Sequence, residues 1–307
     1  MIWEELRKLL EKQQYAFIGR HSAVKICSWT KKSLLDEDIC YKQQFYGIES
    51  HRCCQMSPSI GFCSNKCLFC WRPIEYTKGH IVSGDIDEPK ELIKNAVLMQ
   101  RRQIEGFRGN SKVNMQKFEE AQEPMQFAIS LAGEPTAYPK LKEFIKELYK
   151  LGKTTFVVSN GMNPDIIKEI EPTQLYISVA APNKELMKKI NQPELGDYWE
   201  RFNKSLENLR EKKRGTLRIT LIKGWNMVEP EGYAKLIEKA QPKFVEVKAY
   251  MNVGFSKQRF DMEHMPLHEE VRAFAEKIAE HAGMQIIDEK KASRVVLLMK
   301  EDVDRKL

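Results

Sequence analysis

The sequence predicts an α/β fold on a parallel sheet: a partial (βα)6 TIM-like barrel with an N-terminal cysteine-rich extension, or, as the alternative winding, an open doubly wound sheet. Three observations lead there. Short β-rich runs alternate with amphipathic helical stretches over most of the chain, the pattern of βαβ units. The 307 residues suit one large α/β barrel better than two small domains. No internal repeat and no long Gly/Ser- or Pro-rich linker divides the chain.

The elements follow in order. The opening MIWEELRKLLEKQQ (1–14) is an acidic–basic amphipathic helix and lacks the apolar core of a signal peptide. Residues 1–56 make the extension, and residues 57–307 the barrel with a C-terminal extension of its own. The segment before Cys63 is the first strand, and EPKELIKNAVLMQRRQ (88–103) is its helix. The next five strands are MQFAISL (125–131), TTFVVSN (154–160), QLYISVA (174–180), TLRITLI (216–222) and KFVEVKAYM (243–251). Between them lie the helices KLKEFIKELYKLG (140–152), NPDIIKEI (163–170), YWERFNKSLENLREKK (198–213) and PEGYAKLIEKA (230–240). Six units fall short of the eight that close a barrel. The last stretch, HEEVRAFAEKIAEHAG with MQIIDE and RVVLLMK, covers or extends one edge.

Composition narrows the setting. Hydrophobic residues are 42% and charged residues 30%, enough for a core and too charged for a membrane protein; no apolar run nears the ~18 residues that span a bilayer. A cytosolic protein is expected. Net charge is +7, with basic pairs such as Lys31-Lys32, Arg101-Arg102 and Lys212-Lys213-Arg214, which suit a polyanion but also serve as solvated helix faces. All seven cysteines lie between Cys27 and Cys70. In a reducing compartment such clustering reads as metal binding rather than disulfides.

Chemistry on a parallel sheet belongs at the C-terminal ends of its strands. AGEPT (132–136), SNG (159–161) and KGWN (223–226) stand there, although each alone is ordinary turn chemistry. The loop after the first strand carries Cys63, Cys67 and Cys70 as C-x3-C-x2-C. Structural zinc needs four ligands, and downstream the chain offers His80 but no second Cys pair. An iron–sulfur cube on three thiolates leaves one iron open to a small chelating molecule. With Phe69 directly before the last cysteine, this array on a βα series resembles the radical S-adenosylmethionine (SAM) superfamily. The resemblance implies a [4Fe-4S] cluster on Cys63, Cys67 and Cys70 whose open iron binds SAM. It also implies SAM contacts from Phe69, from Gly133 and Glu134 in the Ala132-Gly133-Glu134 turn, and from Ser159, Asn160 and Ser178, with Ile222 to Asn226 near the adenine. Glu134 would accept the SAM ammonium.

Cys27, Cys40 and Cys53 form a second series, C-x12-C-x12-C, with Cys54 competing for the third place. Together with GFRGN (106–110), SLAGEPTAYP (130–139) and the Cys-Trp-Arg of residues 70–72, this series resembles the tRNA 4-demethylwyosine synthases. That resemblance implies a second [4Fe-4S] cluster on Cys27, Cys40 and Cys53, and condensation of N1-methylguanosine in tRNA(Phe), 3′ of the anticodon, with pyruvate. A 5′-deoxyadenosyl radical would take hydrogen from the N1-methyl group, and Lys42 would form a Schiff base with pyruvate. The base must be flipped into the barrel mouth. Arg101, Arg102, Arg108 and Lys112 are the candidates for holding phosphates around that mouth, and Trp71 or Trp225 for stacking. Only about 25 residues precede Cys27, so a stand-alone, archaeal-type monomer is expected, served by an external flavodoxin- or ferredoxin-type electron donor. Two readings compete: another radical SAM RNA-modifying enzyme with an auxiliary cluster, and a zinc-stabilised RNA-binding module without catalysis.

Overall fold

Side chains alternate across a strand, so each β-rich run offers one face to helices and one to whatever lies opposite. The computed structural model describes residues 2–307, and side chains from Trp3 onward; Met1 of the opening helix lies outside the described residues. In chain order the elements are α1 (Ile2–Lys12), β1 (Ala16–Phe17), β2 (Ala23–Val24), α2 (Ser28–Leu34), α3 (Tyr41–Tyr46), β3 (Cys53–Ser57), α4 (Pro89–Glu105), α5 (Met115–Ala121) and β4 (Gln126–Ile129). There follow α6 (Leu141–Lys150), β5 (Thr154–Ser159), α7 (Pro164–Glu169), β6 (Gln174–Val179), α8 (Lys184–Asn191), α9 (Tyr198–Leu209), β7 (Gly215–Leu221), α10 (Pro230–Ala240), β8 (Phe244–Ala249), α11 (His268–Ala282), β9 (Gln285–Lys290) and β10 (Val295–Met299).

One ten-stranded sheet runs β1-β2-β3-β4-β5-β6-β7-β8-β10-β9. β3 to β8 are parallel and neighbour one another in sequence order, while β1–β2 and β10–β9 add antiparallel edges. Right-handed crossovers that always step the same way put every connecting helix on one face. This is the winding of a barrel, and a doubly wound sheet would have reversed its strand order. Among the described residues no pairing joins β1 to β9, so the sheet stays open.

The helix-side face is mainly apolar, with Thr155 and Ser159 among its few polar members. Cys54, Phe127, Val157, Ile177, Ile219 and Val247 pack there with Leu92, Phe144, Phe202 and Leu236 from the helices. The opposite face holds Cys53, Phe156, Tyr176, Arg218, Glu246 and Lys248, the alternate positions of the same strands. Against it sits α3, whose Tyr41, Phe45 and Tyr46 join Phe156, Tyr176 and Phe244 in a separate cluster. The division expected at residue 56 falls inside β3, so the extension supplies the first parallel strand rather than a separate body. β9 and β10 extend the β8 edge, and α11 covers it, as the C-terminal pattern predicted. Four short helices, α2, α3, α5 and α8, were not predicted. Each is eight residues or fewer and shows too few turns for periodicity to register; α8 is set instead by Asn183, whose side chain accepts the Leu186 N–H.

Candidate active site

The turn after β4 can form only with glycine at its centre. Gly133 has φ +72°, and a Cβ there would stand 2.0 Å from the Ser59 carbonyl oxygen. Around it Ser57 Oγ donates to the Ala132 carbonyl, Ser59 Oγ to the Glu134 carbonyl at 2.7 Å, and Glu134 N to the Phe62 carbonyl at 2.7 Å. The Glu134 carboxylate is thereby buried with Oε1 accepting from Thr136 Oγ1 (2.6 Å) and Ser159 Oγ (2.7 Å), and Oε2 accepting from Asn160 N (2.8 Å). Burial outweighs these bonds and raises its pKa. A desolvated carboxylate with acceptor capacity left on Oε2 is a fitting seat for a cation such as the SAM ammonium. Ser159, 1% exposed, is spent on fixing Glu134 and the Gly161 N–H. Asn160 reaches the cysteine loop instead, its Nδ2 3.2 Å from Ser64 Oγ and 3.6 Å from Cys63 Sγ. Ser178 lies half-buried on the polar face, in register with Arg218.

Cys63, Cys67 and Cys70 stand beyond the C-terminal end of β3. The Cys67 thiol is pushed far up by burial and then by the nearness of Cys63 and Cys70. Two guanidinium groups frame the loop. Arg72, 7% exposed, donates through Nη2 to the Asn65 carbonyl at 2.8 Å, and the three cysteines raise its pKa despite burial. Arg259, from the segment after β8, donates to the carbonyls of Leu68 (2.9 Å) and Cys70. Phe69 packs beside Ile222, Tyr250 and Phe260. His80 faces Glu194, its Nδ1 3.7 Å from that carboxylate.

The second series converges as well. Cys27 caps the N-terminus of α2, Cys40 caps α3, and Cys53 begins β3. The repeat of twelve is a short helix plus its return, twice over, the second return turning at Gly47 (φ +79°). The Cys53 thiol is raised by burial, then by Cys27 and Cys40, and Cys40 is pushed up to about 11 by burial and then by Cys27. Cys54 points to the helix-side core, and burial alone pushes it up to about 12. Strand alternation thus separates Cys53 from Cys54. Among the described residues neither series brings three Sγ atoms within 4.8 Å of one another. Tetrahedral zinc, with Zn–S near 2.3 Å, needs sulfurs about 3.8 Å apart. The donor sets suit a larger polynuclear cluster.

Lys42 follows Cys40 by two residues and is buried. Its Nζ lies 4.5 Å from the Phe156 ring centre and 4.7 Å from that of Tyr176, at the level where Gln55, Ala128 and Phe156 align across β3, β4 and β5. Burial, then the neighbouring Arg218, lowers its pKa.

The fold of the site and two comparisons decide the family. Residues 57–237 match the family described as Radical SAM superfamily, and residues 239–300 that described as Wyosine base formation. The S-adenosyl-L-methionine-dependent tRNA 4-demethylwyosine synthase of Pyrococcus abyssi is 47% identical, over 98% of this chain and 90% of its own length. The Methanocaldococcus jannaschii synthase is 44% identical over 98% of each. This chain belongs to the tRNA 4-demethylwyosine synthase family. As a member it is a radical SAM enzyme of tRNA wyosine biosynthesis, and its superfamily uses SAM and a [4Fe-4S] cluster. The human synthase is 41% identical over 91% of this chain, which spans 38% of it. Two solved structures share the fold: "Structure of TYW1 with a lysine-pyruvate adduct bound" (TM-score 0.89, 42% identical, 99% of this chain and 97% of that one) and "Crystal structure of archaeal TYW1" (TM-score 0.83, 38% identical, 99% of each).

Within this synthase, some expected residues stand elsewhere. Arg101, Arg102, Arg108 and Lys112 are exposed, but they lie at and beyond the C-terminal end of α4, at the end of the sheet where strands begin, and do not ring the mouth at the Cys63 loop. Arg101 is tied to Gln122 and Glu123, just ahead of β4, and Arg108 to Glu105. A crossover helix returns to the strand-start end, so its last turn cannot be at the mouth. Trp225 packs edge-on against Phe260 at 5.2 Å, whereas Trp71 is 44% exposed with its indole N–H held by the Leu131 carbonyl at 3.0 Å. In the Ile222–Asn226 loop, Asn226 is consumed in closing the turn, accepting from Ile222 N and donating to the Ala180 carbonyl. Sequence reasoning missed Arg72, Arg218, Glu246 and Arg259. The first three had a signal: charged residues beside a cysteine array or in strands buried on both faces. Among the described residues no helix is long and apolar enough to cross a membrane.

Proposed function

We propose that this synthase builds the third ring on N1-methylguanosine of tRNA(Phe) with two carbons from pyruvate held at Lys42. The observation that carries the reading is the position of that amine: buried on the polar face, two residues from Cys40, and wedged between aromatic rings. Its lowered pKa leaves a larger share of unprotonated nucleophile. The amine attacks the ketone of pyruvate, water leaves, and a carbon–nitrogen double bond remains. The lysine-pyruvate adduct named for the structural relative supports this assignment. Cys27, Cys40 and Cys53 would hold a second [4Fe-4S] cluster beside it, and Cys63, Cys67 and Cys70 the first. When bound, SAM and the first cluster supply a carbon radical that can take hydrogen from the N1-methyl group. Glu134 seats the ammonium of SAM, the Gly133 turn fixes Glu134, and the sheet's apolar back excludes water from one side. Trp71 is the exposed ring on which a flipped base stacks. The chain is expected to work as a cytosolic monomer with a separate flavodoxin- or ferredoxin-type donor.

The test is an anaerobic assay of reconstituted protein with SAM, reductant, pyruvate and tRNA bearing N1-methylguanosine, read by nucleoside mass spectrometry. A pyruvate-dependent tricyclic nucleoside is expected, and Lys42→Ala abolishes it while SAM cleavage persists. Unchanged turnover in Lys42→Ala refutes the Schiff base. Two cubane clusters predict about eight irons per chain.

A further inference from the structure

The polar face carries a buried network that the reaction outlined above does not use. Glu246, 0% exposed, accepts from Tyr46 Oη (2.8 Å), Tyr41 Oη (3.1 Å) and Arg218 Nε (3.1 Å). Arg218 Nη2 donates to Tyr41 Oη at 2.7 Å. The guanidinium is therefore fixed along one edge by β8 and α3. Its other nitrogen, Nη1, has no protein hydrogen-bond partner among the described residues, and the side chain keeps 18% of its surface open. The group lies 4.6 Å from the centre of the Tyr176 ring, the ring that also carries Lys42 Nζ. A buried ion pair with a free guanidinium edge is costly unless something completes it. Lys42, Arg218 and Lys248 face one carboxylate here, Glu246, so the excess on this face is positive, with the Cys40 and Cys53 thiols as the other neighbours.

We infer that Arg218 anchors the carboxylate of the 2-oxo acid whose ketone Lys42 engages, and thereby selects 2-oxo acids over neutral carbonyl compounds. The inference rests on the proposed role of Lys42. In a 2-oxo acid the carboxylate and ketone carbons are adjacent, and the amine and guanidinium that would meet them both lie about the Tyr176 ring, 4.7 Å and 4.6 Å from its centre. A carboxylate has two oxygens, so one can meet Nη1 while the other stays available. Glu246, with Tyr41 and Tyr46, is a positioning residue for Arg218. A purely structural Arg218, offsetting charge at the cysteines, would be indifferent to whether the carbonyl compound carries a carboxylate.

The experiment traps adducts in anaerobically reconstituted, iron-assayed protein with borohydride, which adds hydride to the imine carbon while nitrogen takes a proton from water. Pyruvate and hydroxyacetone are the two probes, and the Lys42 peptide is quantified by mass spectrometry. Arg218→Gln should raise the half-saturating pyruvate concentration about 10- to 100-fold relative to that of hydroxyacetone, the range for losing a charged hydrogen bond; the effect of the lost charge on the Lys42 amine is common to both probes and cancels in the ratio. Arg218→Lys, which keeps the charge beside Glu246, should recover part of the pyruvate affinity and remains informative if the glutamine variant does not load iron. Wild-type half-saturation in Arg218→Gln overturns the inference, as does parallel loss of both probes in both variants. Absence of any pyruvate adduct in the unsubstituted protein removes the role of Lys42 itself, a different failure.

Discussion

Replacing Gly133 by alanine tests the cradle around Glu134 in a way that can be sized beforehand. The new Cβ would meet the Ser59 carbonyl oxygen at 2.0 Å, its carbon at 2.9 Å and the Phe62 carbonyl oxygen at 3.0 Å, all backbone atoms. Ordinary contact is nearer about 3.5 Å, so the turn and the 59–62 segment must part by roughly 1.5 Å. A left-handed alanine costs about 1–2 kcal/mol, and an overpacked site about 1–3 kcal/mol. The total, about 2–5 kcal/mol, corresponds to a melting temperature lowered by about 3–8 °C in a chain of this size. The displaced bonds are those from Ser57 and Ser59 to the turn, which set where the Glu134 carboxylate points. SAM affinity should therefore fall at least about tenfold, the equivalent of one lost charged hydrogen bond. Thermal unfolding of the apoprotein and equilibrium dialysis of SAM on the reconstituted protein give the two readings. A Gly133→Ala protein with wild-type melting and wild-type SAM affinity would refute the reasoning, because the contacts would then not constrain the turn.

Further outcomes follow from single contacts. Cys53→Ala should lose the iron of one cluster, whereas Cys54→Ala should keep full iron and cost only about 1 kcal/mol for a small core cavity, as iron analysis and denaturant unfolding will show. Burial holds the Lys248 amine down to about 8 from the ordinary 10.5. Between those values the unfolded chain binds the extra proton, so wild-type stability rises with pH relative to Lys248→Met, and any advantage of the methionine variant at pH 7 shrinks by pH 10. Arg259→Ala frees the Leu68 and Cys70 carbonyls and should shift the reduction potential and electron paramagnetic resonance of the first cluster, leaving Lys42 trapping intact. Trp71→Ala should weaken tRNA binding by about 1–3 kcal/mol without changing SAM cleavage, read by filter binding.

The strands were legible because each is a four- to seven-residue β-rich run bounded by turns, and five of the six were located within a residue or two; the first was placed only as the segment before Cys63, and lies at Cys53–Ser57. The sense of winding was not, because it depends on which strands pair rather than on what any strand contains. Glu134 could be named from its turn, yet the dependence of that turn on Ser57 and Ser59 is a contact across 75 residues and leaves no local trace. Arg101 and Arg102 were misplaced for the converse reason: a basic pair shows charge, while its end of the sheet follows only from the length and direction of α4. Cys53 and Cys54 could not be told apart until β3 supplied an alternation that assigns one thiol to each face. Arg218 and Glu246 sit in alternating strand patterns and could have been flagged, since a charged side chain on a sheet covered on both faces requires a partner.

On the proposed reaction, β3 sets the distance between the two thiol groups. Cys53 is its first residue, and the Cys63 loop leaves from its far end. Four residue steps at about 3.3 Å make the strand roughly 13 Å long, a separation fixed by hydrogen bonds on both sides. A carbon activated at one end cannot reach a ketone held at the other unless one of the two extends inward. Lys42 does extend inward: its amine lies over Phe156, level with Gln55 in the middle of β3. The rigid strand sets the span and the flexible lysine closes part of it. Lys42→Arg, which is long and cationic but forms no imine under these conditions, should keep SAM cleavage and iron content while product formation disappears. Retained product in that variant would show that the lysine only fills space.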